Sequence, residues 1–461
     1  MSDRFAYALE ALQQIVRDAG ADAMNHGGTS WEAEASEGGG QSVTVRRGEV
    51  ETIEHHRDKG LGVTVYIGQR RGHASTSDFS PQAVRDTVDK ALTIARYTAP
   101  DECAGLAEAD LMARDIPELD LYHPWELSVE QAMVLARRCE AAALAADPRI
   151  SNSEGATVSS HDSHFVYGNS WGFLAGYPGS RHSVSCSVVA GEGDGMQRDD
   201  WYTTARSPVD LEDVEQVGRI AGQRAAARLN ARKIATVEAP VVFEAPAAAS
   251  LIGHFVAAVS GGNLYRKSSF LTDSLGRRVF SAPVTIHEQP HLRKGLSSAP
   301  FDNEGVATTA RDVVAQGMLQ GYFLSSYSAR KLGLASTGNA GGPHNLLVSS
   351  AGHGPEAMAT EGPLASAARS LAALLKELDQ GLLITELLGQ GVNLVTGDYS
   401  RGAAGFWVEG GEIAYPVHEI TVAGNLRQMF LGIRGIADDA RPQGSVRCGS
   451  LLLERMTVAG E

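Results

Sequence analysis

The chain has 461 residues, 43% of them hydrophobic and 21% charged, with a formal net charge of −15. This composition is that of a globular protein rather than a disordered or fibrous one, and the length implies two cores of roughly 200 residues each. The negative balance argues against a nucleic-acid partner, whose phosphates need basic surface, and no window approaches the roughly 20 apolar residues of a membrane span.

The first predicted element is a helix over 4–18. Alternating runs at 42–54 and 61–76 then read as hairpin strands, with turns at Arg47-Gly48-Glu49 and Gln69-Arg70-Arg71-Gly72. Ser80-Pro81 opens a helix, Ser as N-cap and Pro in the first turn, with Val84, Val88, Ala91 and Ala95 on one face. Ser128 to Gln131 fits a capping box ahead of an Ala-rich helix over 129–146. A strand-rich stretch over 157–206 and a helix over about 210–230 follow. The elements do not alternate strictly as βαβ, so the expected fold class is α+β, with a mixed helix/sheet domain at 1–232.

Beyond Ala231-Arg232-Lys233 the texture changes. A strand at 240–244, a helix at about 246–259 and many short apolar runs punctuated by Gly predict a mainly β domain at 233–461 with one early helix. Leu371, Leu374, Leu375 and Leu378 have helical spacing within 365–378. Cys103, Cys139, Cys186 and Cys448 lack any C-x-x-C spacing and are expected as reduced, buried thiols. The N-terminus enters an amphipathic pattern rather than a basic-then-apolar leader, which predicts a cytoplasmic protein.

One metal motif is literal. His287-Glu288-Gln289-Pro290-His291 satisfies H-E-x-x-H, which on a helix places two His on one face with Glu as base. Pro290 restricts Gln289 away from the helical region, and Ala282 to Ile286 reads as extended, so the expectation is a surface loop, with His287, Glu288 and His291 kept as an alternative metal set. The Gly-rich turns at 338–342 and 402–405 lack the Lys-Ser/Thr ending of a phosphate loop. His418 and Glu386 read as lining or buttressing residues. Arg330, Lys331 and Arg401 are candidates to line a peptide.

The segment Leu251-Ile252-Gly253-His254-Phe255-Val256-Ala257-Ala258-Val259, with its Gly-rich turn and Arg266-Lys267, resembles the metal helix of the TldD/PmbA metallopeptidase family. So do Gly60-Leu61-Gly62-Val63-Thr64-Val65-Tyr66, Ile94 to Thr98, Leu324 to Gly333 and Gly397 to Val408, in the same order from about residue 5 to the C-terminus. In catalytic members that helix reads His-Glu-x-x-x-His; here Phe255 stands at the Glu position and Val259 at the second His. The stretch 349–366 is longer than the family pattern leads one to expect.

The resemblance implies a PmbA/TldE-type subunit of a metallopeptidase, with zinc in a TldD-type partner, no cofactor in this chain, and unfolded peptides as substrates. His254 aligns with the first metal-helix His, and Cys448, in Val446-Arg447-Cys448-Gly449, resembles the segment completing zinc ligation. With Phe255 and Val259 these form a degenerate metal motif. The alternatives are an independent metalloprotease, and a peptide-binding homodimer without enzymatic activity.

Overall fold

The computed structural model describes residues 4–350 and 369–460. Most of the long loop expected at 349–366, and the first residues of the helix expected at 365–378, lie outside the described residues.

The first half is built on one antiparallel sheet of seven strands: β1 (Ser30–Arg46), β2 (Glu49–Ile67), β3 (Arg70–Thr76), β4 (Ile150–Asn169), β5 (Leu174–Ala175), β6 (Pro178–Ala190) and β7 (Gln197–Ala205). The order is β3-β2-β1-β4-β6-β7, with β5 against β4. The β1–β2 turn sits where predicted: Arg47 and Gly48 take positive φ, and both amides donate to the buried Glu140 carboxylate at 2.7 and 2.8 Å. The second turn lies earlier than expected, at Gly68-Gln69. Both long strands extend beyond the predicted runs. Gly38-Gly39-Gly40 is poor in β-propensity, and 51–59 is exposed along its length, so neither stretch shows half-buried alternation.

Four helices cover one face: α1 (Leu9–Asn25), α2 (Pro81–Tyr97), α3 (Val129–Leu144) and α4 (Val214–Ala227). Helix α1 starts later than predicted because the Ala6 and Tyr7 amides are held by the Glu37 carboxylate at 2.8 and 3.0 Å. Ser80 caps α2, and both arms of the Ser128/Gln131 capping box form on α3. Gly218 lets α4 lie against α3, since a Cβ there would sit 2.0 Å from the Cys139 carbonyl oxygen. The odd-numbered residues of β1 face this layer, which holds two separate cores. Ala33, Ala35, Leu61 and Val63 pack with α1 and α2, whereas Val43, Val45, Val158 and Val184 pack with α3 and α4.

The second half holds two sheets. Strands β8 (Val237–Phe243), β13 (Gly381–Leu388), β14 (Asp398–Glu409), β15 (Glu412–Asn425), β16 (Ile433–Ile436) and β18 (Leu451–Ala459) run in the order β15-β14-β13-β8-β18-β16, and β15 pairs again with β18, closing a five-stranded ring. Strands β9 (Val284–Gln289), β10 (Arg311–Ala315), β11 (Met318–Leu319), β12 (Asn345–Ser350) and β17 (Val446–Arg447) form the other sheet. Helices α5 (Ala245–Ala258), α6 (Gly261–Tyr265), α7 (Ser326–Leu332), α8 (Leu371–Leu378) and α9 (Leu426–Leu431) complete the half. The α+β class expected from the sequence is the class observed. Among the described residues no helix is long and apolar enough to cross a membrane.

Candidate functional site

Helix α5 follows β8 directly. Glu244 at its N-cap uses its side chain on Arg224 of α4 rather than on the helix, and Pro246 stands in the first turn. Leu251, Ile252, Phe255 and Ala258 face inward at the spacing of one helical stripe. Phe255 is fully buried, edge-on to Phe280 at 5.0 Å and to Phe430 at 6.2 Å between centroids. Val259 is also fully buried and forms the C-cap, so the position of a second metal-binding His falls where the helix ends.

His254 is half-buried, with its ring edge-on to Tyr399 at 5.9 Å. Burial, reinforced by the Arg401 charge, lowers its pKa, so the ring is neutral at pH 7. Three buried polar groups meet here: His254 Nε2, which has no partner, and the Tyr399 hydroxyl beside the Arg401 guanidinium. Arg401 otherwise donates to Ser250 Oγ and to the Leu387 carbonyl, each at 3.3 Å. Burial pushes the Tyr399 hydroxyl up to about 12, which keeps it a donor. The group can therefore hold a carbonyl, a carboxylate or water. It supplies one nitrogen suited to a metal.

Cys448 lies beside the outer face of α5. It lines a cavity of about 320 Å³ with Ala245, Ala249 and Gly253 of the helix and Tyr202 of β7. Its Sγ lies 3.2 Å from the Gly449 carbonyl oxygen, and burial, with the nearby Asp439 charge, raises the thiol pKa far above neutrality. Zinc needs thiolate, imidazole or carboxylate at four positions or at three plus water. Among the described residues no three His, Cys, Asp or Glu side chains come together to hold a metal. The residues at the helix therefore do not fit a zinc ion.

The literal H-E-x-x-H match is not a loop. Residues 284–289 form β9, so His287 and Glu288 point to opposite faces and His291 falls beyond the strand end. Glu288, expected at the surface, is buried: Oε1 accepts from Asn339 Nδ2 at 2.7 Å and from the His344 amide at 2.9 Å, and Oε2 from Arg311 Nε at 2.9 Å. His287 pairs with Asp312 at 2.7 Å, and His291 reaches Thr308 at 3.0 Å. Three donors around one carboxylate, on strands and loops far apart in sequence, describe a structural anchor. No local spacing could have signalled it.

Arg330 and Lys331 are both paired within the chain. Arg330 donates to the carbonyls of Cys103, Gly105 and Leu106 and pairs with Glu108; Lys331 pairs with Asp101 at 2.9 Å. Both tie α7 to the 101–108 segment of the first half. Glu386 buttresses the same junction through Arg228 at 2.5 Å. His418 sits on β15, where its amide bonds the Arg232 carbonyl at 3.3 Å, so its backbone serves the connection between the halves.

Three regions of the chain match family descriptions: PmbA/TldA metallopeptidase domain 1 at 31–95, the central domain at 122–229 and the C-terminal domain at 236–460. The metalloprotease PmbA of Escherichia coli O157:H7 is 49% identical over 98% of both chains. Among solved structures, a Bacteroides thetaiotaomicron protein named as a candidate modulator of DNA gyrase is 25% identical, with a TM-score of 0.88 over 97% of this chain and 99% of that one. TldE of Thermococcus kodakarensis shares the fold at 19% identity and a TM-score of 0.78, over 98% of this chain and all of the other.

Proposed function

The chain belongs to the PmbA/TldD metallopeptidase family, and from that premise we propose that it is the partner subunit of a two-component peptidase, with the catalytic zinc held by a TldD-type chain. One observation carries this reading: Phe255 and Val259, at the positions of the family's acid and second histidine, are fully buried apolar residues. A zinc peptidase needs a carboxylate to deprotonate the metal-bound water, and Phe255 offers none.

In this proposal the substrates are unfolded peptides in the cytoplasm, and this chain contributes surface rather than the nucleophile. The small-residue face of α5, where a Cβ on Gly253 would meet open space, suits close approach of an extended chain. Tyr399, Arg401 and His254 offer donors beside it for a peptide carbonyl or C-terminal carboxylate.

The test is reconstitution. This chain alone is expected to carry no stoichiometric zinc after dialysis and to cleave no unfolded peptide, whereas mixing with a TldD-type partner restores cleavage. Cys448→Ala in this chain should leave most of that activity. Near one zinc per isolated chain, or loss of turnover by Cys448→Ala in an assembled complex, would overturn the proposal and favour an independent metalloprotease.

A further inference from the structure

Strand β2 outruns its outer neighbour. β1 pairs with it from Glu49 to Tyr66, whereas β3 pairs with it only from Leu61 to Ile67. From the Arg47-Gly48 turn to Leu61, roughly 40 Å at the rise of an antiparallel strand, the outer side of β2 has no strand beside it. Among the described residues no other backbone bond reaches that stretch. Alternate residues of such an edge aim their N–H and C=O groups outward, ready for another strand. Residues 51–59 are also exposed along their whole length. A strand with one neighbour and little buried surface gains little from packing, and a second neighbour would supply what is missing.

The edge carries its own complement. Glu49, Glu51 and Glu54 lie in its first part, and Arg57 and Lys59 in its second. Among the described residues Glu54, His55 and Arg57 have neither a hydrogen-bond nor an ion-pair partner. Charges on an edge ordinarily repel incoming strands. Here acids and bases are separated along the strand, so an antiparallel copy sets unlike charges together, while a parallel one would set acid beside acid. A two-fold axis through His55, the midpoint of 50–60, places Glu51 opposite Lys59 and Glu54 opposite His56. Ile53, 46% exposed, falls opposite the apolar stem of Arg57. The axis makes each pair occur twice. Slipping the register by two residues in either direction sets Glu54 opposite Glu54 or opposite Asp58, and like charges directly opposite are destabilising. The free length of the edge and its charge order therefore select the same register.

We propose that residues 50–60 of β2 are a self-association edge, where a second copy of this chain pairs antiparallel and continues the first sheet across a two-fold axis. The surface lies on the first sheet rather than on α5, and the proposal does not rest on the partner-subunit reading.

The experiment is sedimentation velocity over a concentration series on this chain without a TldD-type partner, with hydrogen exchange read on the 50–60 peptide. The wild type is expected to dimerise, with slowed exchange in 50–60 as the dimer forms. Two variants reverse one half of the edge each: Glu51→Lys with Glu54→Lys, and Arg57→Glu with Lys59→Glu. Each alone sets like charges opposite and should weaken the dimer roughly tenfold or more, whereas a 1:1 mixture of the two restores every unlike pair and should recover both the dimer and the protection. Lys59 also reaches the Tyr7 hydroxyl at 3.2 Å; should its reversal disturb the fold, Arg57→Glu alone, at a side chain without a partner, still weakens self-association. The proposal is overturned by a chain that stays monomeric, by a dimer that ignores both reversals, or by a mixture that associates while 50–60 exchanges as in the monomer. Because no cleavage enters the measurement, its failure is separable from failure of the reconstitution test.

Discussion

Restoring the family's metal chemistry to α5 should damage the protein before it creates an enzyme. The perturbation is Phe255→Glu with Val259→His. Phe255 has no exposed surface and makes edge contacts with Phe280 and Phe430, which stack on each other at 4.6 Å. Removing a ring that buries about 200 Å² forfeits about 5 kcal/mol at 25 cal/mol per Å², in line with the roughly 3–5 kcal/mol of buried Phe truncations. Glu would add the cost of a polar group placed among the Phe280 and Phe430 rings, and it would be held protonated. A loss of about 4 kcal/mol or more in a unit of this size corresponds to a fall in Tm of about 8–16 °C. Differential scanning calorimetry with and without zinc measures it, alongside a peptide-cleavage assay. An unchanged Tm together with new zinc-dependent cleavage would show that the aromatic cluster is not a barrier and that two side chains alone separate this chain from an active peptidase.

Glu288→Gln should destabilise the second half by about 3 kcal/mol, since Arg311 would be left without its buried counter-charge; urea unfolding monitored in that half is the check, and wild-type stability would refute it. Burial pushes the Glu288 carboxyl up, but the His344 hydrogen bond and the Arg311 charge more than offset this and leave its pKa below the usual value. Its contribution should therefore be fully present above the unfolded carboxyl pKa of about 4.3 and be lost as pH falls through the lower folded value. A Tm-against-pH curve should accordingly lose part of its acid limb in Glu288→Gln. Arg330→Ala should loosen the junction between the halves by about 2 kcal/mol through its charged hydrogen bonds to the Cys103, Gly105 and Leu106 carbonyls and the Glu108 carboxylate. Limited proteolysis should then cut within 101–108 faster than in the wild type, and an unchanged rate would show that the junction is held elsewhere.

What the sequence disclosed was local, and what it concealed was paired at a distance. Ser80-Pro81 and the Ser128/Gln131 box announced their helices because a cap needs only neighbours within one turn. That Phe255 and Val259 belong to one buried apolar helix end was legible for a related reason, since both sit within one short segment. Glu288 was misread as surface because its partners Arg311, Asn339 and His344 come from three other segments. Arg330 looked available for a peptide only because the carbonyls it binds lie more than 200 residues earlier. The extra length of β1 and β2 was hidden by three glycines and by a stretch exposed along its length, which erase the alternation that marks a half-buried strand.

The closed ring in the second half has a consequence for how the chain is made. Strand β8 opens that half, yet one of its two neighbours, β18, is synthesised about 200 residues later, and β18 must also reach β15 to shut the circle. Until residues 451–459 have left the ribosome, β8 and β15 each present an unpaired edge of backbone donors and acceptors. Such long-range closure is slow, and open edges invite pairing with other chains. A ribosome-stalled or C-terminally trimmed product lacking only β18 should therefore be far more prone to aggregate than one lacking a similar length of α1, although the two deletions remove comparable amounts of protein.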